Sequence, residues 1–527
     1  MPVMRRERRE AELARWVSAL PEEVVRVRPV LGIAFVGALA QVSNFDTVGE
    51  RLSGIERSVR SEDGSWPERP PPGLVVVDEA GYRSLPAGIA MYRAALALAH
   101  ADLDGTVTHA REALSLAPPD DDLTRASAGA LAGLASWTTG DLAGAHAAYT
   151  QTVAGLTRVG FLADILGCCI AIGDIRRAQG QLDDAMRTYQ SALDLAAPKP
   201  GAEPLRGTAD MHVAMAGVLL ERDDLPTAAE HLAISQRLGE PNGLPQNPYR
   251  WRIVTARLRE AHGDLDAALG LLDEADRVYA GDYSPNVRPV PAVRARLRLR
   301  RGELSHAEAW ARERQLFAGE RLSYLREYEH LTLARLLLAR PHAERDNSPL
   351  DEALNLLARL LPAAEEGARG GSVIEVLILQ ALAHQALADG PAALGALHRA
   401  VTLAEPEGYV RVFAEEGPPM VALLKALVKQ SATAGYVRRL LAATTRTQTH
   451  ETPGQKLVQP LSDRELDVLR LLGTDLDGPD IARELFVSLN TLRTHTRNIY
   501  AKLGVTNRRA AVRQAHDLKL LPGQRRS

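Results

Sequence analysis

Residues 250–279 read RWRIVTARLREAHGDLDAALGLLDEADRVY. Apolar side chains at Ile253, Leu258, Leu265, Leu269 and Leu272 bracket a polar break, His262-Gly263-Asp264. The spacing predicts two helices joined by a tight turn. Glycine suits the left-handed residue that ends a helix, and the aspartate can cap the helix that follows. Three places after Leu265 stands Ala268, small enough to let neighbouring helices approach closely.

The same punctuation recurs along the chain. Gly140-Asp141-Leu142 leads to Ala145, Gly180-Gln181-Leu182 to Ala185, Asp223-Asp224-Leu225 to Ala228, Gly302-Glu303-Leu304 to Ala307 and Ser348-Pro349-Leu350 to Ala353. Weaker copies fall at Leu103 and Phe45, and a degenerate one near Asp389-Gly390. A helix pair repeated every ~40 residues cannot bury its apolar side alone and must stack on the next pair, which predicts a helical solenoid with a concave surface. The array resembles tetratricopeptide repeats with a lengthened period. The expected fold is therefore all-α: a tetratricopeptide-like solenoid over residues 1–443, a linker at 444–460, and a small four-helix domain at 461–527. The linker is read from TTRTQTHETPGQKLVQP, which breaks the periodicity with Thr, Gln, Pro and Gly.

Composition narrows the function classes. A net charge of -3 with 46% hydrophobic residues is ordinary, but from Phe486 to His516 there are six cations, Arg493, Arg497, Lys502, Arg508, Arg509 and Arg513, and no acid. A local basic patch of this kind points to an anionic partner. The only cysteines, Cys168 and Cys169, adjoin one another without metal-ligand spacing, which excludes a disulfide framework and suits small core residues in a reducing, cytoplasmic setting. The longest apolar run, Val30 to Val42, is short of the roughly 20 residues that span a bilayer, and no membrane association is expected. Within residues 61–86 the stretch Gly73-Leu74-Val75-Val76-Val77-Asp78-Glu79 has the look of a Walker B strand. No phosphate-cradling GxxxxGK followed by Ser or Thr accompanies it, so a short extended loop segment is the better reading. No catalytic constellation, metal site or cofactor is expected.

The terminal stretch, 461–521, carries the chemistry. Ser462-Asp463-Arg464-Glu465 has the form of a capping box that starts a helix with Leu466, Leu469 and Leu472 along one side. A short second helix covers about 479–485, entered through Asp477-Gly478. After Phe486-Val487-Ser488, with Ser488 as cap, a third helix runs from about Asn490 to Leu503 and ends at Gly504, against which Val505 can fold back. A fourth follows at about 507–518. Along the third helix Asn490, Arg493, Thr494 and Arg497 share one side, opposite Leu492, Thr496, Ile499 and Leu503. Two short helices, a turn and a longer basic helix form a helix-turn-helix, whose reading helix lies in the major groove of duplex DNA. Arginine can address guanine and a threonine methyl can meet thymine; Thr491, Lys502 and Arg508 are better placed to anchor phosphates. A basic helix packed on the solenoid is the bland alternative.

Leu461-Ser462-x-Arg464-Glu465, Ile481-Ala482-x-x-Leu485, Ser488-x-Asn490-Thr491-Leu492-Arg493-x-His495 and Lys502-Leu503-Gly504-Val505 resemble the LuxR-type DNA-binding domain. The departure is Asp477-Gly478-Pro479-Asp480, where that family usually has Ser-Asn-x-Glu; it changes the cap of the second helix. Through Ala404-Glu405-Pro406-Glu407-Gly408-Tyr409-Val410-Arg411 and Glu415-Glu416-Gly417, the repeat array resembles the sensor region of the large ATP-binding LuxR-type regulators, here without their nucleotide-binding domain. The resemblance implies dimerisation through the last helix, at Ala510, Ala511, Ala515 and Leu518. It further implies double-stranded DNA as partner, a homodimer on it, a small-molecule or protein inducer on the repeats, and RNA polymerase as a further candidate. The rival reading is an interaction scaffold without DNA binding; a nucleotide-driven switch is a third.

Overall fold

The computed structural model describes residues 9–41, 45–197, 204–239, 242–279, 284–340, 348–428, 434–450, 463–474, 476–485, 487–503, 505 and 507–517. The chain divides into two compact units, Met1–Thr445 and Arg446–Ser527. Among the described residues there is no strand, and no helix is long and apolar enough to cross a membrane.

The first unit opens with α1 (Glu10–Ser18), α2 (Glu22–Arg26), α3 (Pro29–Gln41), α4 (Phe45–Val59) and α5 (Glu79–Arg83). Helix pairs follow: α6 (Leu85–Ala99) with α7 (Leu103–Leu116), α8 (Asp122–Thr139) with α9 (Leu142–Val159), and α10 (Leu162–Ala178) with α11 (Leu182–Leu195). Next come α12 (Thr208–Glu221) with α13 (Leu225–Leu238), α14 (Asn247–Ala261) with α15 (Leu265–Arg277), and α16 (Val290–Arg300) with α17 (Leu304–Glu313). The array continues through α18 (Glu327–Ala339) with α19 (Ser348–Glu366), then α20 (Gly370–Ala386) with α21 (Gly390–Ala404), and closes with α22 (Arg411–Ala414), α23 (Gly417–Val428) and α24 (Ala434–His450).

The turns have the anticipated chemistry. Gly140, Gly180, Gly263 and Gly302 take φ between 77° and 91°, and the following N–H reaches back five residues, as from Asp141 to Ser136 O at 2.9 Å. That is a Schellman ending, which satisfies carbonyls the helix leaves orphaned. The side chains of Asp141, Asp224 and Asp264 then accept from Gly144, Thr227 and Ala267 N–H, each cap stabilising by about 1 kcal/mol. The copies at Leu103 and Asp389-Gly390 are geometrically complete, while the residues just before Phe45 lie outside the described ones. Ala101 and Ala388 hold φ of 59° and 61° without glycine, and Asp102 and Asp389 cap Gly105 and Ala392. The marker alanines Ala145, Ala185, Ala228, Ala268, Ala307, Ala353 and Ala393 are all fully buried.

The array also meets itself across long stretches of chain. Trp137 Nε1 donates to the Tyr324 hydroxyl at 3.1 Å, and Val410 N–H donates to Glu221 O at 2.8 Å. The backbone of Gly370 lies so close to α10 that an added Cβ would sit 2.5 Å from Gln179 O. One apolar core accordingly contains Leu166, Tyr189 and Met215 together with Leu377, Leu397 and Phe413. Sequence periodicity could not announce these contacts, which depend on the accumulated rotation of successive pairs.

Two further expectations meet the structure here. The Walker B-like stretch forms no strand: Val77 is 92% exposed, and Asp78 caps α5 by accepting from Gly81 N–H at 2.8 Å. The expected linker start at residue 444 is corrected, because α24 continues to His450 and Thr444 is fully buried, its hydroxyl donating to Leu440 O. Residues 451–460 lie outside the described residues. Cys169 is buried, which pushes its thiol up to about 11, a core residue rather than a reactive one.

Candidate nucleic-acid interface

The second unit is built on a core of Val468, Leu469, Leu472, Ile481, Ala482, Leu492, Ile499, Ala511 and Ala515. These come from four helices, α25 (Asp463–Leu472), α26 (Gly478–Glu484), α27 (Leu489–Leu503) and α28 (Arg508–Asp517). Every expected helix is present within about a residue or two of its anticipated ends.

Local sequence explains each boundary. Asp477 caps α26 by accepting from Asp480 N–H at 2.9 Å, and Pro479 occupies the first turn where its missing N–H costs nothing. The departure from the usual Ser-Asn-x-Glu thus supplies a cap of its own. Val487 N–H returns to Ala482 O at 3.0 Å to tighten the turn. Ser488 Oγ accepts from Thr491 N–H at 3.1 Å and starts α27 as expected. At the other end Val505 N–H reaches back to Tyr500 O at 2.9 Å; Gly504 itself lies outside the described residues, as does Ser462 of the expected capping box.

Helix α27 has two different sides. Leu492 and Ile499 are buried in the core, and the Thr496 hydroxyl folds onto Leu492 O. Thr491, Thr494 and Arg497 are exposed. Asn490 and Arg493 lie on the same helix, one turn apart on the stripe that contains Thr494 and Arg497, with their side chains outside the described residues. Among the described residues no hydrogen bond or ion pair engages the Arg497 guanidinium. The result is a helix anchored by one side with Thr491, Thr494 and Arg497 exposed on the other, an arrangement that can approach base edges and phosphates of a groove.

Two of the expected phosphate anchors serve the domain instead. Lys502 Nζ is 2.6 Å from Glu465 Oε2 and ties α27 to α25. Arg508 donates to Leu472 O at 2.9 Å, Leu476 O at 2.7 Å and Thr474 O at 2.6 Å, filling the carbonyls at the end of α25 and the turn after it. Their positive charge still contributes to the field of the unit, but their donors point inward. Arg464, which sequence reasoning passed over, plays a similar part: its guanidinium donates to Leu485 O at the end of α26. Asn507, where the fourth helix was expected to begin, caps α28 by accepting from Ala510 N–H at 2.9 Å.

The expected dimer contact changes too. Ala511 and Ala515 are fully buried in their own unit, because α28 turns its alanine stripe toward α25 and α27; Ala510 is half-buried, and Leu518 lies outside the described residues.

Comparison with known proteins agrees with both units. Residues 87–430, more than half of the chain, match the family described as MalT-like TPR region. Residues 459–515 match bacterial regulatory proteins of the luxR family. The HTH-type transcriptional regulator MalT of Klebsiella pneumoniae (strain 342) is 27% identical over 316 residues, covering 53% of this chain and 33% of that protein. Its counterpart from Yersinia pestis (strain Pestoides F) is 26% identical over 308 residues, covering 54% and 33%. This chain therefore spans about a third of the length of the curated relatives it matches. Among solved structures, a Rap protein complexed with competence and sporulation factor is aligned over 82% of this chain with 13% identity and a TM-score of 0.40, a likeness too loose to carry an argument.

Proposed function

Since the chain belongs to the family of MalT-like TPR proteins and ends in a luxR-type helix-turn-helix, we propose that it is a DNA-binding transcriptional regulator whose helical repeats receive the signal. Helix α27 enters the major groove, Arg493 and Arg497 address bases, and Asn490, Thr491 and Thr494 contact base edges or backbone. The observation that carries this reading is the two-sidedness of α27: Leu492 and Ile499 are held in the core while Thr491, Thr494 and Arg497 face out.

The regulator acts in the cytoplasm on promoter DNA as a dimer across paired half-sites, and it works with RNA polymerase. The dimer contact uses a surface other than Ala511 and Ala515, which the unit keeps for itself. The repeats take a small-molecule or protein inducer. We assign no reaction to either unit.

The test is selection of bound sequences from a random duplex pool with the full chain, followed by anisotropy titrations of the winner at several salt concentrations. Affinity should fall steeply with salt, because each neutralised phosphate releases counterion. A log-log slope near zero, or no enriched sequence, would overturn the proposal.

A further inference from the structure

Helices α9, α10 and α11 form a groove holding a cavity of about 440 Å³, a volume within the range of small-molecule sites. From α11 its wall is a single stripe, Asp184, Arg187, Thr188, Ser191 and Leu195, at the three- and four-residue spacing that keeps side chains on one side of a helix. Because α10 and α11 run antiparallel out of the turn at Gly180, Arg176 of α10 stands beside the start of α11, and Ile165 and Cys169 stand beside its later turns. The groove is therefore charged at one end and apolar at the other, where Leu195 keeps 48% of its surface exposed.

The charged end is not neutral. Arg187 pairs with Asp184. Arg176 has no carboxylate partner among the described residues: its Nη1 donates to the side-chain oxygens of Gln181 at 2.5 Å and Gln179 at 3.4 Å, both uncharged acceptors. Its Nε and Nη2 have no protein acceptor among those residues. His146 of α9 does not change this balance near neutral pH, since burial and Arg176 push its pKa down, with Asp184 opposing. One positive charge is left in excess, with donors to spare.

We infer that this groove is a binding site for a small amphipathic monoanion, a carboxylate on an unbranched apolar tail, whose head takes the spare donors of Arg176 and whose tail lies between Ser191 and Leu195 over Ile165 and Cys169. Paired guanidinium N–H donors match the two oxygens of a carboxylate, and a single excess cation suits a singly charged head. Arg187 to Leu195 covers about 12 Å of helix axis, and a carbon chain of about eight atoms is of similar length. The inference rests on the reading of the repeats as the receiving unit and names the chemistry received.

Isothermal titration of the full chain with octanoate, hexanoate, acetate and 1-octanol tests it. Octanoate should bind at least tenfold more tightly than acetate, which lacks the tail, and than octanol, which lacks the charge. Hexanoate should fall between octanoate and acetate, roughly two- to fourfold weaker for each methylene removed. Arg176→Met should weaken octanoate at least tenfold. Ser191→Trp, at an exposed position, fills the groove and should abolish octanoate binding with an unchanged melting temperature. No binding of octanoate, octanol binding as tightly, or undiminished binding by either variant would overturn the inference. Anisotropy with selected DNA, run in parallel without ligand, separates this outcome from failure of the regulator reading.

Discussion

Lys502 Nζ lies 2.6 Å from Glu465 Oε2, and the glutamate side chain is only 5% exposed. One end of the reading helix is therefore fastened to the first helix of its unit by a charge pair mostly withdrawn from water. Removing the lysine takes a cation away from a buried carboxylate. Lys502→Ala should destabilise the unit by roughly 3 kcal/mol, the low end for a buried pair because the lysine itself touches solvent. Amide exchange in α25 and α27 would then accelerate about a hundredfold. Unchanged protection would refute this role.

Arg508→Ala should cost about 2 kcal/mol of stability in the terminal unit, since three carbonyls lose a charged donor. The salt slope of DNA binding should stay where it was, for the side chain spends its donors internally. A slope lowered by about one would restore the phosphate-anchor assignment.

Arg497→Ala should behave in the opposite way. Folding should be untouched, because the side chain is exposed, while binding should lose roughly 1 to 3 kcal/mol of preference at one base pair if the residue reads a base. Competition between wild-type and single-substituted duplexes measures this directly. Indifference to every substitution would remove Arg497 from base readout.

Two glycines of α10 form a matched pair. A Cβ at Gly173 would lie 2.1 Å from the Tyr189 ring, whereas at Gly167 nothing stands within 4 Å. Gly173→Ala should therefore destabilise the array by about 1 to 3 kcal/mol through overpacking, and Gly167→Ala should stabilise it by about 0.5 to 1 kcal/mol through helix propensity. Urea midpoints of the two variants moving in the same direction would contradict the packing described for Tyr189.

Asp210 supplies a pH signature. Burial, partly offset by Leu244 N–H and Arg250, pushes its carboxyl up from 3.8 to about 6. Between those values the unfolded chain has released its proton and the folded chain has not, so stability declines as pH rises through the window and the penalty is complete above it. The interval corresponds to about 3 kcal/mol. Asp210→Asn keeps an acceptor for Leu244 N–H, which now bonds Oδ2 at 2.8 Å, and cannot ionise. It should be more stable than wild type above pH 6 and lose this site's part of the pH slope. An identical pH profile for the two proteins would count against the assignment.

Local chemistry was legible in the sequence wherever a residue acts on its near neighbours. The Asp-Leu-x-x-Ala punctuation announced the turns, caps and close helix approaches, and Ser488 and Asp477 marked where α27 and α26 begin. Asp223 even holds the left-handed position, at φ 65°, that glycine takes elsewhere. What stayed hidden depends on distant partners. Lys502 and Arg508 look like phosphate ligands until Glu465 and the carbonyls of residues 472–476 are brought against them. Ala511 and Ala515 form a small apolar stripe, and a sequence does not say whether such a stripe faces a second copy or its own core. The polar run after Ala443 reads as a break, yet α24 carries seven residues of it as helix.

An open stack of repeats can fray from either end, since each pair answers only to its neighbours. The bonds from Trp137 to Tyr324 and from Val410 to Glu221 fasten together pairs that are distant in sequence. While both fastenings hold, no pair between Trp137 and Val410 can peel away by itself.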